Sequence, residues 1–226
     1  MLYLPIILII VIVIYGPQLW AGRVLARYNR QEYFSGNGME LARLLLDELS
    51  LEDVAVEENQ MGDHYNPATK VVSLTNARCG RRSLTAVVVA AHEVGHAIQD
   101  HSNYLPLQAR TRMVTAAAKF ERIGAILIMA VPLLAVITRV PAAGFLVLLG
   151  GLATLCIPLL IHLITLPTEF DASFNRALPL LASGKYIPPE DIPAARKILL
   201  ACALTYVANA LAGLLNLWRW IRILRR

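Results

Sequence analysis

The sequence predicts a mainly α-helical membrane protein with three to four transmembrane helices and a small α+β cytosolic domain. Three observations lead there. Of 226 residues, 57% are hydrophobic and only 16% are charged, against about 45–50% and about 25% in ordinary soluble domains. Mean hydropathy is +0.54. The apolar residues gather into long uncharged runs, while the polar residues concentrate in the stretch that follows the first of them. This balance excludes a disordered chain, a nucleic-acid-binding tail and a small disulfide scaffold. Cys79, Cys156 and Cys202 form no CxxC pair, so neither an oxidised framework nor a thiolate metal site is expected.

Leu2 to Trp20 is uncharged and rich in Ile, Leu and Val, and Arg23, Arg27 and Arg30 follow it. About 20 such residues cross about 30 Å of hydrocarbon, and basic residues after the run favour an anchor with residue 21 onward in the cytosol. A signal peptide would need a basic start and a small-residue cleavage site. Ile123–Ile137 and Val140–Leu166 are separated by little more than Arg139 and read as a transmembrane hairpin, with Pro132 and Pro158 as kinks. Ile198–Leu217 is a fourth apolar run that either spans or lies in the interface; Trp218, Trp220, Arg222, Arg225 and Arg226 close it. The expected division is therefore an anchor (1–22), a cytosolic domain (23–122), the hairpin (123–166), a polar return (167–197) and a C-terminal helix with a basic tail (198–226). Such a chain is multi-pass in a bacterial-type plasma membrane, with the lipid bilayer as partner and no nucleic acid.

Within the polar domain, Gly36–Leu49 carries Met39, Leu41, Ala42, Leu44, Leu45, Leu46 and Leu49 at helical spacing and opens near Asn37. Val54–Glu57 and Lys70–Leu74 are short and β-branched, and Gly62-Asp63-His64-Tyr65-Asn66-Pro67 between them has turn residues. A small hairpin is expected, with Val71, Val72 and Leu74 either on a sheet edge that an extended peptide could join or in a plain buried strand. Ser83 then caps a long helix through about Gln99.

That helix carries the chemistry. His92-Glu93-Val94-Gly95-His96 places two histidines at i and i+4, on one helix face where both imidazoles reach one zinc ion. Glu93 stands beside the first of them as the general base toward a zinc-activated water. One zinc ion per chain is implied, and with it hydrolysis of protein or peptide substrates. A catalytic zinc takes three protein ligands and keeps a fourth position open. His101 comes too soon after His96 for the extended three-histidine motif, so the third ligand is a carboxylate further on. Glu169 is favoured, in Leu166-Pro167-Thr168-Glu169-Phe170-Asp171-Ala172-Ser173, with Glu121, Glu190 and Asp191 as the other acids on that side. His64 and Tyr65 either donate to a developing oxyanion or organise their turn.

These pieces, together with Lys70-Val71-Val72-Ser73-Leu74 and Ala91–Asp100, occur in an order that resembles the YugP-type membrane neutral zinc metallopeptidases. The likeness runs from about Tyr28 to Ala210. That family is similar in turn to the HtpX and CAAX-prenyl-type membrane metalloproteases. The resemblance implies a zincin-like (gluzincin-like) domain with His92, His96 and Glu169 on zinc and a transmembrane hairpin between the zinc helix and the glutamate. Two positions depart from the pattern. Ser173 stands four residues after Glu169, where the HtpX type carries an aspartate, leaving Asp171 as the nearest acid for a supporting role. Asn66 stands where an aspartate is expected.

Two other readings use the same residues. A non-catalytic zinc-binding scaffold or chaperone fits the ligands but leaves Glu93 without a task, since structural zinc sites usually close with a fourth protein ligand. An intramembrane site-2-type protease would need Ser83–Gln99 inside the bilayer, with Arg81 and Arg82 at one end and Asp100 at the other. The segment with His101, Arg110 and Arg112 reads as an exposed surface available to a partner.

Overall fold

A computed structural model of the chain describes residues 3–29, 36–116, 165–183 and 185–214, with the single positions Ile123, Ile126, Leu149 and Ile161. Helix α1 (Tyr3–Tyr28) leads to α2 (Gly38–Glu48). Asn37 opens α2 through a capping box: its side chain accepts from the Glu40 backbone N–H, and Glu40 accepts from the Asn37 backbone N–H, both at 2.9 Å. One face of α2 is buried through Leu41, Ala42, Leu45 and Leu46.

The sheet differs from the expected hairpin. Strand β1 (Ala55–Asn59) runs parallel to β3 (Val71–Thr75), in register Ala55↔Val71. The segment expected to be only a turn contains a third strand, β2 (His64–Asn66), antiparallel to β3 with Tyr65 opposite Val72. The order is β1-β3-β2. β3 is therefore central, with both edges paired, which is the buried strand of the two readings and not the sheet edge. Its buried Val72, Ser73 and Leu74 explain the placement, because a strand covered this fully belongs inside a sheet. Entry into β2 uses Gly62 at φ 129°, a conformation open to glycine alone.

After a single turn, α3 (Asn76–Cys79), comes α4 (Leu84–His101), capped by the Ser83 hydroxyl, which accepts from the Ala86 N–H at 3.2 Å. Nearly every side chain from Leu84 to Ala97 is buried, the mark of a helix surrounded on all sides. Helix α5 covers 105–116. A helical segment over 165–182, α6, contains a π-helical stretch, Asp171–Ala177. The last described helix, α7 (Ile192–Leu214), packs along α1 and against α4. The core lies where α2, β3, α4, α6 and α7 meet, around Leu45, Val72, Val88, Leu181 and Leu199. The end of α1 is tied to the start of α4 by Thr85 Oγ1 donating to the Leu25 carbonyl (2.9 Å) and Ser83 Oγ to Asn29 Oδ1 (2.6 Å).

The expected three to four transmembrane helices require correction. Among the described residues, no helix is long and apolar enough to cross a membrane. In α1, Pro17 and Gln18 interrupt the apolar run that begins at Tyr3. Beyond it, Ala21, Val24 and Leu25 pack on protein. Helix α7 carries Arg196 and Lys197 near its start, and it buries Ala195, Ile198, Leu199 and Ala201 in the core. The hairpin expected over 123–166 lies almost wholly outside the described residues. So do Cys156, Glu121, Trp218, Trp220 and the arginine tail.

Candidate metal centre

The backbone brings two distant segments into contact at one glycine. A Cβ on Gly95 would lie 2.6 Å from the Ala172 carbonyl oxygen, so α6 approaches α4 backbone to backbone at the middle of the His92–His96 turn. The π-helical stretch beginning at Asp171 widens α6 beside this contact. Glu169, Asp171 and Ser173 all reach groups on α4 from it.

The three expected ligands meet. His92, His96 and Glu169 each offer an atom within 4.8 Å of the others. His92 Nε2 lies 3.4 Å and His96 Nε2 3.2 Å from the same oxygen, Glu169 Oε2. The rings are 4.9 Å apart at 76°, and all three side chains are almost completely buried. The other ring nitrogens are engaged elsewhere. His96 Nδ1 is 2.9 Å from Gln99 Oε1, and His92 Nδ1 is 3.1 Å from Ser173 Oγ. Ser173 Oγ in turn donates to the Leu199 carbonyl on α7 at 3.3 Å, which leaves it to accept from His92 Nδ1–H. Both Nε2 lone pairs then face the Glu169 carboxylate. Two imidazole nitrogens and one carboxylate oxygen, converging and held from behind, fit a zinc ion with an open fourth position.

Glu169 is completely buried, and Oε2 is the oxygen that faces the two imidazoles. Its second oxygen, Oε1, accepts from Arg110 Nη1 at 2.8 Å. Glu93, next to His92, is buried, and that burial pushes its carboxyl up to about 7 against the pull of His92.

His64 and Tyr65 have other partners. His64 Nδ1 is 3.0 Å from the Gly62 carbonyl in its own turn. The Tyr65 hydroxyl donates to Asp100 Oδ2 at 2.7 Å, an oxygen that Lys70 Nζ also reaches at 2.7 Å. This bond ties β2 and the turn before β3 to the end of α4. Asp171 faces Gln99, Asn175 and Arg176. Arg110, read from sequence as part of an exposed surface, is mostly buried and paired with Glu169.

Sequence reasoning passed over Gln99 and gave Ser173 no task. Gln99 follows His96 by three residues on the same helix face, and Ser173 occupies the position where the HtpX type carries an acid. Arg110 had no sequence signal, because its partner is far along the chain.

His92, His96 and Glu169 form a cluster that could hold a metal ion, as a metallopeptidase requires. The family described as "Putative neutral zinc metallopeptidase" matches residues 3–225, and the chain belongs to that family. It is 36% identical over 201 residues to the "Putative membrane protease YugP" of Bacillus subtilis (strain 168), covering 87% of this chain and 85% of that protein. No solved structure matches the chain.

Proposed function

We propose that the chain is a zinc-dependent endopeptidase, with one zinc per chain, acting on protein or peptide substrates at the cytosolic face of a membrane. The observation that carries this reading is the convergence of His92 Nε2, His96 Nε2 and Glu169 Oε2 beside the buried carboxyl of Glu93. His92, His96 and Glu169 hold the metal. Zinc supplies Lewis acidity toward a water molecule and the scissile carbonyl. Glu93 takes the proton from the attacking water on its carboxylate and returns it to the leaving amine, a task served by a carboxyl raised to about 7. Gly95 keeps α6 close enough for Glu169 to complete the set. An extended substrate has β2, an edge strand packed on α4, as its pairing partner. Membrane association draws on the apolar start of α1 with Arg23 and Arg27 after it, and on the name of the Bacillus relative.

The test is zinc content and casein hydrolysis, measured together on purified wild type, Glu93→Gln and Glu169→Ala. Glu93→Gln keeps zinc and loses hydrolysis, and Glu169→Ala loses both. A wild type that binds one zinc yet hydrolyses nothing, and that Glu93→Gln matches in cells, favours the scaffold reading. Zinc retained by Glu169→Ala removes Glu169 from the ligand set.

A further inference from the structure

Gln99 is fully buried at the foot of the metal helix, and every polar atom of its side chain has a partner. Its amide nitrogen donates to the Thr168 carbonyl and to Asp171 Oδ2, both at 2.8 Å. Two acceptors on one side leave a single amide orientation, with Oε1 facing His96 Nδ1 at 2.9 Å. An acceptor there requires the proton of His96 on Nδ1, which puts the lone pair on Nε2. Asp171 is itself held by Asn175 Nδ2 (2.8 Å) and Arg176 Nε (3.3 Å), both from the π-helical stretch that follows Glu169.

We propose that Gln99 and Asp171 form a relay that locks His96 in the metal-binding tautomer and joins it to the segment carrying Glu169. Gln99 is thus a positioning residue. Its two amide hydrogens go to either side of that segment's Glu169, to Thr168 and Asp171, so the second and third ligands are aligned by one side chain. The inference rests on the zinc reading above. In this chain an amide occupies the place that a carboxylate often takes behind a zinc-bound histidine, and the negative charge sits one hydrogen bond further back.

The experiment is zinc affinity by chelator competition on the full chain, with the visible spectrum of the cobalt(II) form and thermal unfolding of the metal-free protein alongside. Gln99→Leu, close in size, is expected to weaken zinc about 10–100-fold and to change the cobalt spectrum. Gln99→Glu alone sets a carboxylate against Asp171 and the Thr168 carbonyl and is expected to lose affinity too. Adding Asp171→Asn exchanges amide and carboxylate and restores a donor between them; with the Thr168 carbonyl still opposed to the carboxylate, it recovers part of the loss, a rescue that packing alone would not produce. If Gln99→Leu fails to fold, Gln99→Glu against the exchanged pair decides. Wild-type affinity in Gln99→Leu overturns the relay, as does an exchanged pair no better than Gln99→Glu. Absence of zinc binding by wild type overturns the zinc reading and the relay together.

Discussion

Gly95 and Ala172 touch through backbone alone: a Cβ on Gly95 would stand 2.6 Å from the Ala172 carbonyl oxygen and 3.3 Å from its carbon. The neighbour is main chain inside a buried helix pair, so it cannot swing aside as a flexible side chain would. The glycine between the two histidines thereby sets how close Glu169 comes to their imidazoles. Gly95→Ala should destabilise the fold by about 1–3 kcal/mol through overpacking and lower zinc occupancy, read by thermal unfolding with zinc analysis on the same sample. Unchanged zinc content would mean that α6 is not held by this contact.

Arg110 engages Glu169 Oε1 while Oε2 faces the imidazoles. Each oxygen has its own partner, and the guanidinium on Oε1 leaves Oε2 as the oxygen that would hold a metal with His92 and His96. Arg110→Ala should release the carboxylate and weaken zinc about tenfold, in the range seen for partners of metal ligands. Arg110→Lys, which keeps the charge but not the planar fork, should recover only part of this. Chelator competition measures both, and tighter binding in Arg110→Ala would show that the positive charge opposes the metal.

Ser173 passes its own proton to the Leu199 carbonyl and accepts from His92. Ser173→Ala leaves a buried imidazole N–H without an acceptor, which costs about 1–3 kcal/mol. Denaturant unfolding of the metal-free protein should register that loss, and zinc affinity should fall with it. A variant as stable as wild type would remove the serine from the support of His92.

Tyr65 joins β2 to the end of α4 through Asp100, where burial and the neighbouring carboxylate raise the phenol far above its ordinary value. Tyr65→Phe should cost about 1.5 kcal/mol, as expected for a hydrogen bond to a charged group, with Lys70 left alone on Asp100. Because the anchor sets β2 against the metal helix, KM for an extended peptide should rise more than kcat falls. The reverse split would place the hydroxyl nearer the reacting atoms than its bond to Asp100 allows.

Much of the site was legible because its rules are local. Two histidines four residues apart share a helix face whatever surrounds the helix. Asn37 and Ser83 announce helix starts because capping involves only the next three residues. Family likeness then singled out Glu169 among several acids. The sheet was less legible: a three-residue strand inside a turn-rich segment carries too little pattern, and whether β3 is an edge depends on partners beyond its own sequence. Among the described residues, the expected membrane crossing was misjudged for a related reason. Apolar composition measures avoidance of water and does not distinguish lipid from protein, and α7 directs Ile198, Leu199 and Ala201 into the core.

By itself, then, the sequence determined that His92 and His96 share one helix face and that Asn37 and Ser83 open their helices, all set by short-range geometry. Tertiary structure alone decided that Gly95 meets Ala172, that Arg110 meets Glu169 and that Gln99 bridges His96 to Asp171. The partners lie far apart in the chain, Arg110 and Glu169 by 59 residues and Gln99 and Asp171 by 72. No local preference encodes such a meeting; it follows from burying α4 on every side, with Gly95 permitting the closest of those contacts.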